Sequence, residues 1–260
     1  MNVYWLEQVI AEVPTEDDWL SAGEARCLGS MRIAKRRADW RLGRWTAKRA
    51  VAACLELPEE AEALRRIEVR AAPSGAPEVF LGAESAGVTI SISHRASTAA
   101  CAVAGPGVEL GCDLELIEPR SDGFVEDYLT VDEQRMVAEV RAEDRARLVN
   151  LLWSAKESAL KALREGLRLD TRVVAVTSTR VCVNGWGSLE VETGEGRVFR
   201  GWWREAEELL RTVVAIPPPG VPKLVQLGPF SRQGPKEGRK AGALMFDLRS
   251  SVHSITPPGA

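Results

Sequence analysis

Trp153-Ser154-Ala155-Lys156-Glu157-Ser158-Ala159-Leu160-Lys161 is the stretch from which the rest of the chain can be ordered. Trp153, Glu157 and Lys161 stand at i, i+4 and i+8 and form one row on a helix. The apolar pattern around them extends that helix over 143–165, and Gly166 sits where a helix stop belongs. Trp153 would anchor the row against a core. Glu157 offers a carboxylate and Lys161 a compact positive charge. Taken alone, the row reads equally well as a surface Glu→Lys pair worth about 0.2–0.5 kcal/mol.

Working outward, the order of elements repeats. Thr130-Val131-Asp132-Glu133 offers a helix start ahead of the quoted helix. Strand-like runs follow it at Val173–Val176, Val181–Val183, Leu189–Glu192, Arg197–Trp203 and Thr212–Ile216. In the first half, residues 31–57 read as a helix with apolar Trp40, Leu42, Trp45, Val51, Ala52 and Leu55. Its early turns are basic, and Pro58 ends it. Strand-like runs then come at Ile67–Arg70, Val88–Ser93, Ala99–Ala104 and Val108–Glu115, separated by Gly and Pro. Each half thus reads as a long helix and a small antiparallel sheet. The expected class is α+β, with subdomains at 1–117 and 118–225 and a linker at 118–123. No residue-level repeat stands out between the halves. Residues 226–260 are rich in Pro, Gly and Ser, lack periodicity, and read as a disordered tail.

Composition removes several classes. A chain of 260 residues with 45% apolar content can bury a sizeable core. A net charge of −3 argues against a general nucleic-acid binder. No apolar run reaches the roughly 18 residues of a membrane span, and the N-terminus lacks the pattern of a signal peptide. The five cysteines, Cys27, Cys54, Cys101, Cys112 and Cys182, are scattered without a zinc spacing. They read as reduced thiols of a cytoplasmic protein. With only His94 and His253 present, chemistry that needs a histidine pair is nearly excluded.

Two further segments carry chemistry. Ser91-Ile92-Ser93-His94 closes a strand, with both serines on one face and His94 at its end, where donors suit phosphate oxygens. In Gly111-Cys112-Asp113-Leu114-Glu115 the two acids are two apart on a strand and project to one side. Such charges repel unless a cation intervenes. Hard oxygen ligands in small number suit Mg²⁺. Each segment alone also reads as ordinary strand polarity.

The ordered set SxSH, GxDxE and WxxKExxxK resembles the Sfp-type 4′-phosphopantetheinyl transferases over roughly residues 30–216. The resemblance implies a monomeric pseudo-dimer of two α+β halves. It implies Mg²⁺-dependent transfer of the phosphopantetheine arm of coenzyme A to a serine of an acyl or peptidyl carrier protein, releasing adenosine 3′,5′-bisphosphate. By motif, Asp113 and Glu115 match metal ligands, and Glu157 a third ligand or the general base. Lys161, Ser93 and His94 match phosphate contacts. Arg36 and Arg44, eight apart on the basic helix, match residues that meet the nucleotide phosphates, although Arg37, Arg41 and Lys48 could shift that register. Many relatives have Gly-Lys-Pro where this chain has Gly75-Ala76-Pro77, and Arg70 is a candidate to compensate. Phe124, Tyr128 and Met136, with Arg135, Arg141 and Arg145, are a candidate carrier dock, or plain core. No nucleic-acid or membrane partner is expected. Competing readings are a non-catalytic coenzyme A-binding module and a Mg²⁺-dependent nucleotide pyrophosphohydrolase.

Overall fold

The computed structural model describes residues 1–165, 169–180, 185–228 and 230. In the first half, β1 (Tyr4–Val9) precedes two helices, α1 (Ala22–Ser30) and α2 (Ala34–Cys54). A short α3 (Ala61–Arg66) leads into β2 (Ile67–Ala71), β3 (Pro77–Leu81) and β4 (Glu84–Ser85). Then come β5 (Thr89–Arg95), β6 (Thr98–Ala104) and β7 (Glu109–Leu116). The second half has α4 (Asp122–Tyr128), α5 (Val131–Glu139), α6 (Ala142–Ala162), β8 (Val174–Arg180), β9 (Gly187–Thr193), β10 (Val198–Ala206) and β11 (Leu209–Ile216). A final β12 (Lys223–Leu224) closes the described chain. The class is the expected α+β, with long α2 and α6 each packed on a sheet.

The sheets do not divide where the sequence suggests. One has the order β12-β1-β6-β5 and another β7-β11-β10-β9-β8; β2-β3-β4 form a third. So β7, read with the first half, hydrogen-bonds along its length to β11, pairing Asp113 with Thr212. All pairs are antiparallel except β1 with β12. Through that pair the chain returns to the first half. Val225 N donates to Trp5 O, Arg49 donates to Gly228 O, and the Phe230 ring packs on Trp45 at 4.8 Å. Ordered structure therefore runs past the expected limit at 225. Gly166, the strand at Val181–Val183 with Cys182, and residues 231–260 with His253 lie outside the described residues.

Local chemistry explains the boundaries. The helix expected over 31–57 is α2, which begins at Ala34; ahead of it a separate helix, α1, starts at a capping box of Ser21 and Glu24. Thr130 and Glu133 form the same box on α5, at the start expected there. The expected linker at 118–123 already contains the next N-cap, Ser121. Helix α6 ends before Gly166. Arg164 N donates to Lys161 O and Glu165 N to Leu160 O, with Arg164 at φ 61°. This is a Schellman closure with arginine at the position that glycine usually takes. Gly111 is required by close approach. A Cβ there would collide with the Ser158 carbonyl, which is how β7 and α6 pack so tightly.

The two halves share one device. Lys48 is fully buried in α2, 2.5 Å from Glu24, and donates to Trp19 O. Glu24 also accepts from Val69 N on β2. Lys156 is fully buried in α6, 2.7 Å from Glu133, and donates to Val174 O. Glu133 also accepts from Val176 N on β8. In each half the capping-box glutamate of a short helix clamps the lysine of the long one. The lysines end matching tetrapeptides, Trp45-Thr46-Ala47-Lys48 and Trp153-Ser154-Ala155-Lys156.

Candidate active site

The site is built where β5, β7 and α6 meet. Asp113 is buried on β7, and its carboxylate accepts hydrogen bonds from side chains brought in by other elements. Its Oδ1 accepts from Ser93 Oγ at 2.8 Å and from Lys161 Nζ at 2.7 Å; its Oδ2 accepts from Ser154 Oγ at 2.9 Å. Lys161 also donates to Ser93 Oγ and to the Cys112 carbonyl, both at 3.1 Å. Glu157 lies 3.7 Å from Lys161 on the same helix face. The row read from the sequence is thus turned onto Asp113 and not toward solvent. Ser91, the other serine of the strand motif, has a different job. Its hydroxyl accepts from Cys112 N and ties β5 to β7.

Charge within the cluster is uneven. Burial pushes the Glu157 carboxyl up to about 7, and the nearby charge of Asp113 adds to this, partly offset by Lys161. Burial alone would lower the Lys161 ammonium, but Asp113 and Glu157 outweigh it and raise it. Lys161 is therefore a fixed cation at neutral pH, while Glu157 is poised to gain or lose a proton. Glu115 stands slightly apart. Its Oε1 accepts from Trp153 Nε1 at 2.9 Å, and its Oε2 faces Arg120 at 3.1 Å and Arg95 at 3.5 Å. Burial raises its pKa, and the Asp113 charge contributes. Arg95 and Arg120 were not singled out from the sequence. Arg95 directly follows His94, and Arg120 lies in the stretch read as a linker, so adjacency to the motifs was the available signal.

Two adjoining clefts open beside this cluster and share Gly75, Pro77 and Ile92. One, of about 410 Å³, is lined by the Ser74–Pro77 turn, Ser91, Lys161 and Arg164. The other, of about 500 Å³, holds Lys35, Arg36, Asp39, Arg44 and His94. The register of the basic helix follows from its partners. Arg37 donates to the Leu28 and Met31 carbonyls, Arg41 to Asp17 and the Pro14 carbonyl, and Lys48 is clamped internally. Arg36 and Arg44 line the cleft, Arg44 with Glu24 at 4.0 Å. Arg44 stacks 4.9 Å from the Trp40 ring, and its buried Nε has no hydrogen-bond partner among the described residues. His94 is the penultimate residue of β5, at the strand end as expected, and the hairpin turns at Ala96 and Ser97. Burial lowers its pKa; the opposing charge of Asp39, 3.8 Å away, does not restore it, so the ring is neutral at pH 7. Arg70 pairs with Glu68 at 2.7 Å, lies over the Phe80 ring, and does not line either cleft.

Residues 109–214 match the model of the 4′-phosphopantetheinyl transferase superfamily. The superfamily segment runs from β7 into β11. It takes in Asp113, Glu115, Glu157 and Lys161, and it supports a phosphopantetheinyl transferase. Ser93, His94, Arg36 and Arg44 lie outside it and rest on their geometry alone. No curated protein matches the chain.

The superfamily implies a divalent metal, and the residues present fit one in chemistry. Asp113, Glu115 and Glu157 offer hard carboxylate oxygens. The charges of Asp113 and Glu115 both act on Glu157, an excess that a cation would relieve. Among the described residues no three His, Cys, Asp or Glu side chains already close on one point. Lys161 supplies the counter-charge to Asp113 as the side chains stand. Among the described residues, no helix is long and apolar enough to cross a membrane.

Proposed function

We propose that the chain transfers the phosphopantetheine arm of coenzyme A to a serine of an apo carrier protein, in the manner of the Sfp-type enzymes, as a monomer of two duplicated halves. The observation that carries this reading is the convergence of Asp113, Glu157, Lys161 and Ser93 beside clefts that hold Arg36, Arg44 and His94. The paired clamps of Lys48 with Glu24 and Lys156 with Glu133 support the duplication. Mg²⁺, held by Asp113 and Glu157 with Glu115, would offset the charge that develops on the diphosphate.

The chain's own residues supply the remainder. Phosphoryl transfer is mostly positioning and electrostatics. Lys161, fixed in its charged form, and the neutral His94 would meet phosphate oxygens. Arg36 and Arg44 would hold the 3′-phosphate. Glu157, near the pKa useful for proton transfer at neutral pH, would accept the proton of the carrier serine. The serine oxygen then forms a bond to the β-phosphorus of coenzyme A. The bond from that phosphorus to the bridging oxygen breaks, and adenosine 3′,5′-bisphosphate leaves with the electron pair. Tyr128, which packs on Trp153, and Val131 and Met136 on the following helix are exposed and would contribute an apolar dock for the carrier. Arg135, Arg141 and Arg145 are each paired with a neighbouring aspartate, so the dock is more apolar than basic.

Incubation with coenzyme A, Mg²⁺ and a panel of apo carriers tests the reading. Carrier mass should rise by one phosphopantetheine, and Asp113→Ala should abolish the gain. No transfer to any carrier would sink the proposal. Coenzyme A binding without transfer would leave a binding module, and release of phosphopantetheine without a carrier would indicate a hydrolase.

A further inference from the structure

The smaller cleft has a wall that nothing above explains. Its turn, Ser74-Gly75-Ala76-Pro77, presents backbone and a methyl group but no cation. The end of α6, in the Schellman closure at Arg164, also lines this cleft. That position favours glycine, because a left-handed backbone costs a residue with a Cβ roughly 1 kcal/mol. Here it carries a long cationic side chain at φ 61°, and that side chain lines the cleft. Backbone set against preference beside a cleft is a place to look for function.

The guanidinium makes only a long ion pair, with Glu78 at 3.8 Å, beyond hydrogen-bond length, and the side chain is about half exposed. Arg70, the other arginine near this wall, is held by Glu68 and Phe80. Arg164 also lies one turn beyond Lys161, which lines the same cleft and touches Asp113. The cleft is thus lined by the Lys161 ammonium and by a half-exposed guanidinium capable of bidentate contact, a pair suited to phosphate.

We propose that Arg164 is a substrate-positioning residue that holds a phosphate of coenzyme A in this cleft, where the turn supplies no cation. The proposal rests on the coenzyme A reading above. Its use of a glycine-favouring position separates binding from stability. Arg164→Gly relieves the backbone, so its Tm should be equal to or above that of wild type, while its affinity for coenzyme A falls about 5- to 30-fold by calorimetry. KM for coenzyme A should rise with kcat little changed, since the contact is made in both ground and transition states. Arg164→Lys should retain part of the affinity, and Ala76→Lys should restore part of it to Arg164→Gly from the turn. The same titrations with dephospho-coenzyme A identify the phosphate. A retained loss assigns the diphosphate, and a vanished loss assigns the 3′-phosphate.

Unchanged affinity in a stably folded Arg164→Gly protein overturns this inference and leaves the transferase reading intact. Absence of coenzyme A binding in wild type overturns both.

Discussion

In α2, Lys48 reaches the capping-box glutamate of α1; in α6, Lys156 reaches that of α5. The two turns are built alike and used differently. After Lys48 comes Arg49, which pairs with Glu59 at 2.7 Å and donates to the Gly228 carbonyl, a role in holding the fold. After Lys156 comes Glu157, whose carboxyl faces Lys161 and feels Asp113. Thr46 bonds back to its own helix at Leu42 O, whereas Ser154 donates to Asp113. One scaffold therefore carries structural side chains in one half and the acids of the proposed reaction centre in the other. A buried clamp fixes the axial position of the long helix in both. In the second half the neighbouring residues can then be placed on Asp113 with little freedom to drift.

The comparison breaks most visibly at the clamps. Lys48→Ala and Lys156→Ala each leave a buried glutamate without its cation, and each should cost about 3–5 kcal/mol in denaturant unfolding. A much smaller cost for either would show that the two clamps are not equivalent. Next come the residues that follow them. Glu157→Gln should lower kcat by about 10²- to 10⁴-fold, the usual reach of general-base catalysis. Arg49→Gln should leave kcat within a factor of about two and lower only stability. Steady-state kinetics with an apo carrier and circular dichroism melts separate these outcomes.

A third test uses pH without divalent cation. Burial with nearby Asp113 raises the Glu157 pKa to about 7, so the folded state holds this proton more tightly than the unfolded chain. The stability this gives is complete below the unfolded pKa and is lost as pH rises through about 7. Glu157→Gln should match wild type near pH 4 and exceed it above pH 8, by about 3 kcal/mol at most. A constant difference across that range would show that Glu157 is not the strained group. The smallest effect concerns the helix starts. Ser21→Ala and Thr130→Ala should each cost about 1 kcal/mol, equal within error if the two boxes do the same work.

Much of this was legible in the sequence, and the gaps have physical causes. Thr130-x-x-Glu133 marked α5 because a capping box needs only local residues. The matching Ser21-x-x-Glu24 was missed, because apolar periodicity further on drew attention to α2 alone. Residues at i, i+4 and i+8 put Glu157 and Lys161 on one face, but no spacing rule says which face meets β7. Gly111 decided that by admitting the Ser158 carbonyl. The Trp-x-Ala-Lys repeat does not by itself mark a pair of clamps, because the burial of its lysines depends on glutamates far away in sequence. Arg36 and Arg44 could not be told from Arg37 and Arg41 until the carbonyls that occupy the latter pair were seen. Arg164 was hidden because Gly166 looked like the natural stop.

Strand β7 is bound on its two sides in unlike ways. Toward β11 it has a continuous main-chain ladder; toward β5 it is joined by side chains, Ser91 to Cys112 and Ser93 to Asp113. A ladder resists shear along its whole length, whereas a row of serine contacts can be parted one at a time. Along the β5–β7 boundary the polar joins are therefore side-chain ones, and two of them, from Ser93 and Lys161, meet on one oxygen of Asp113.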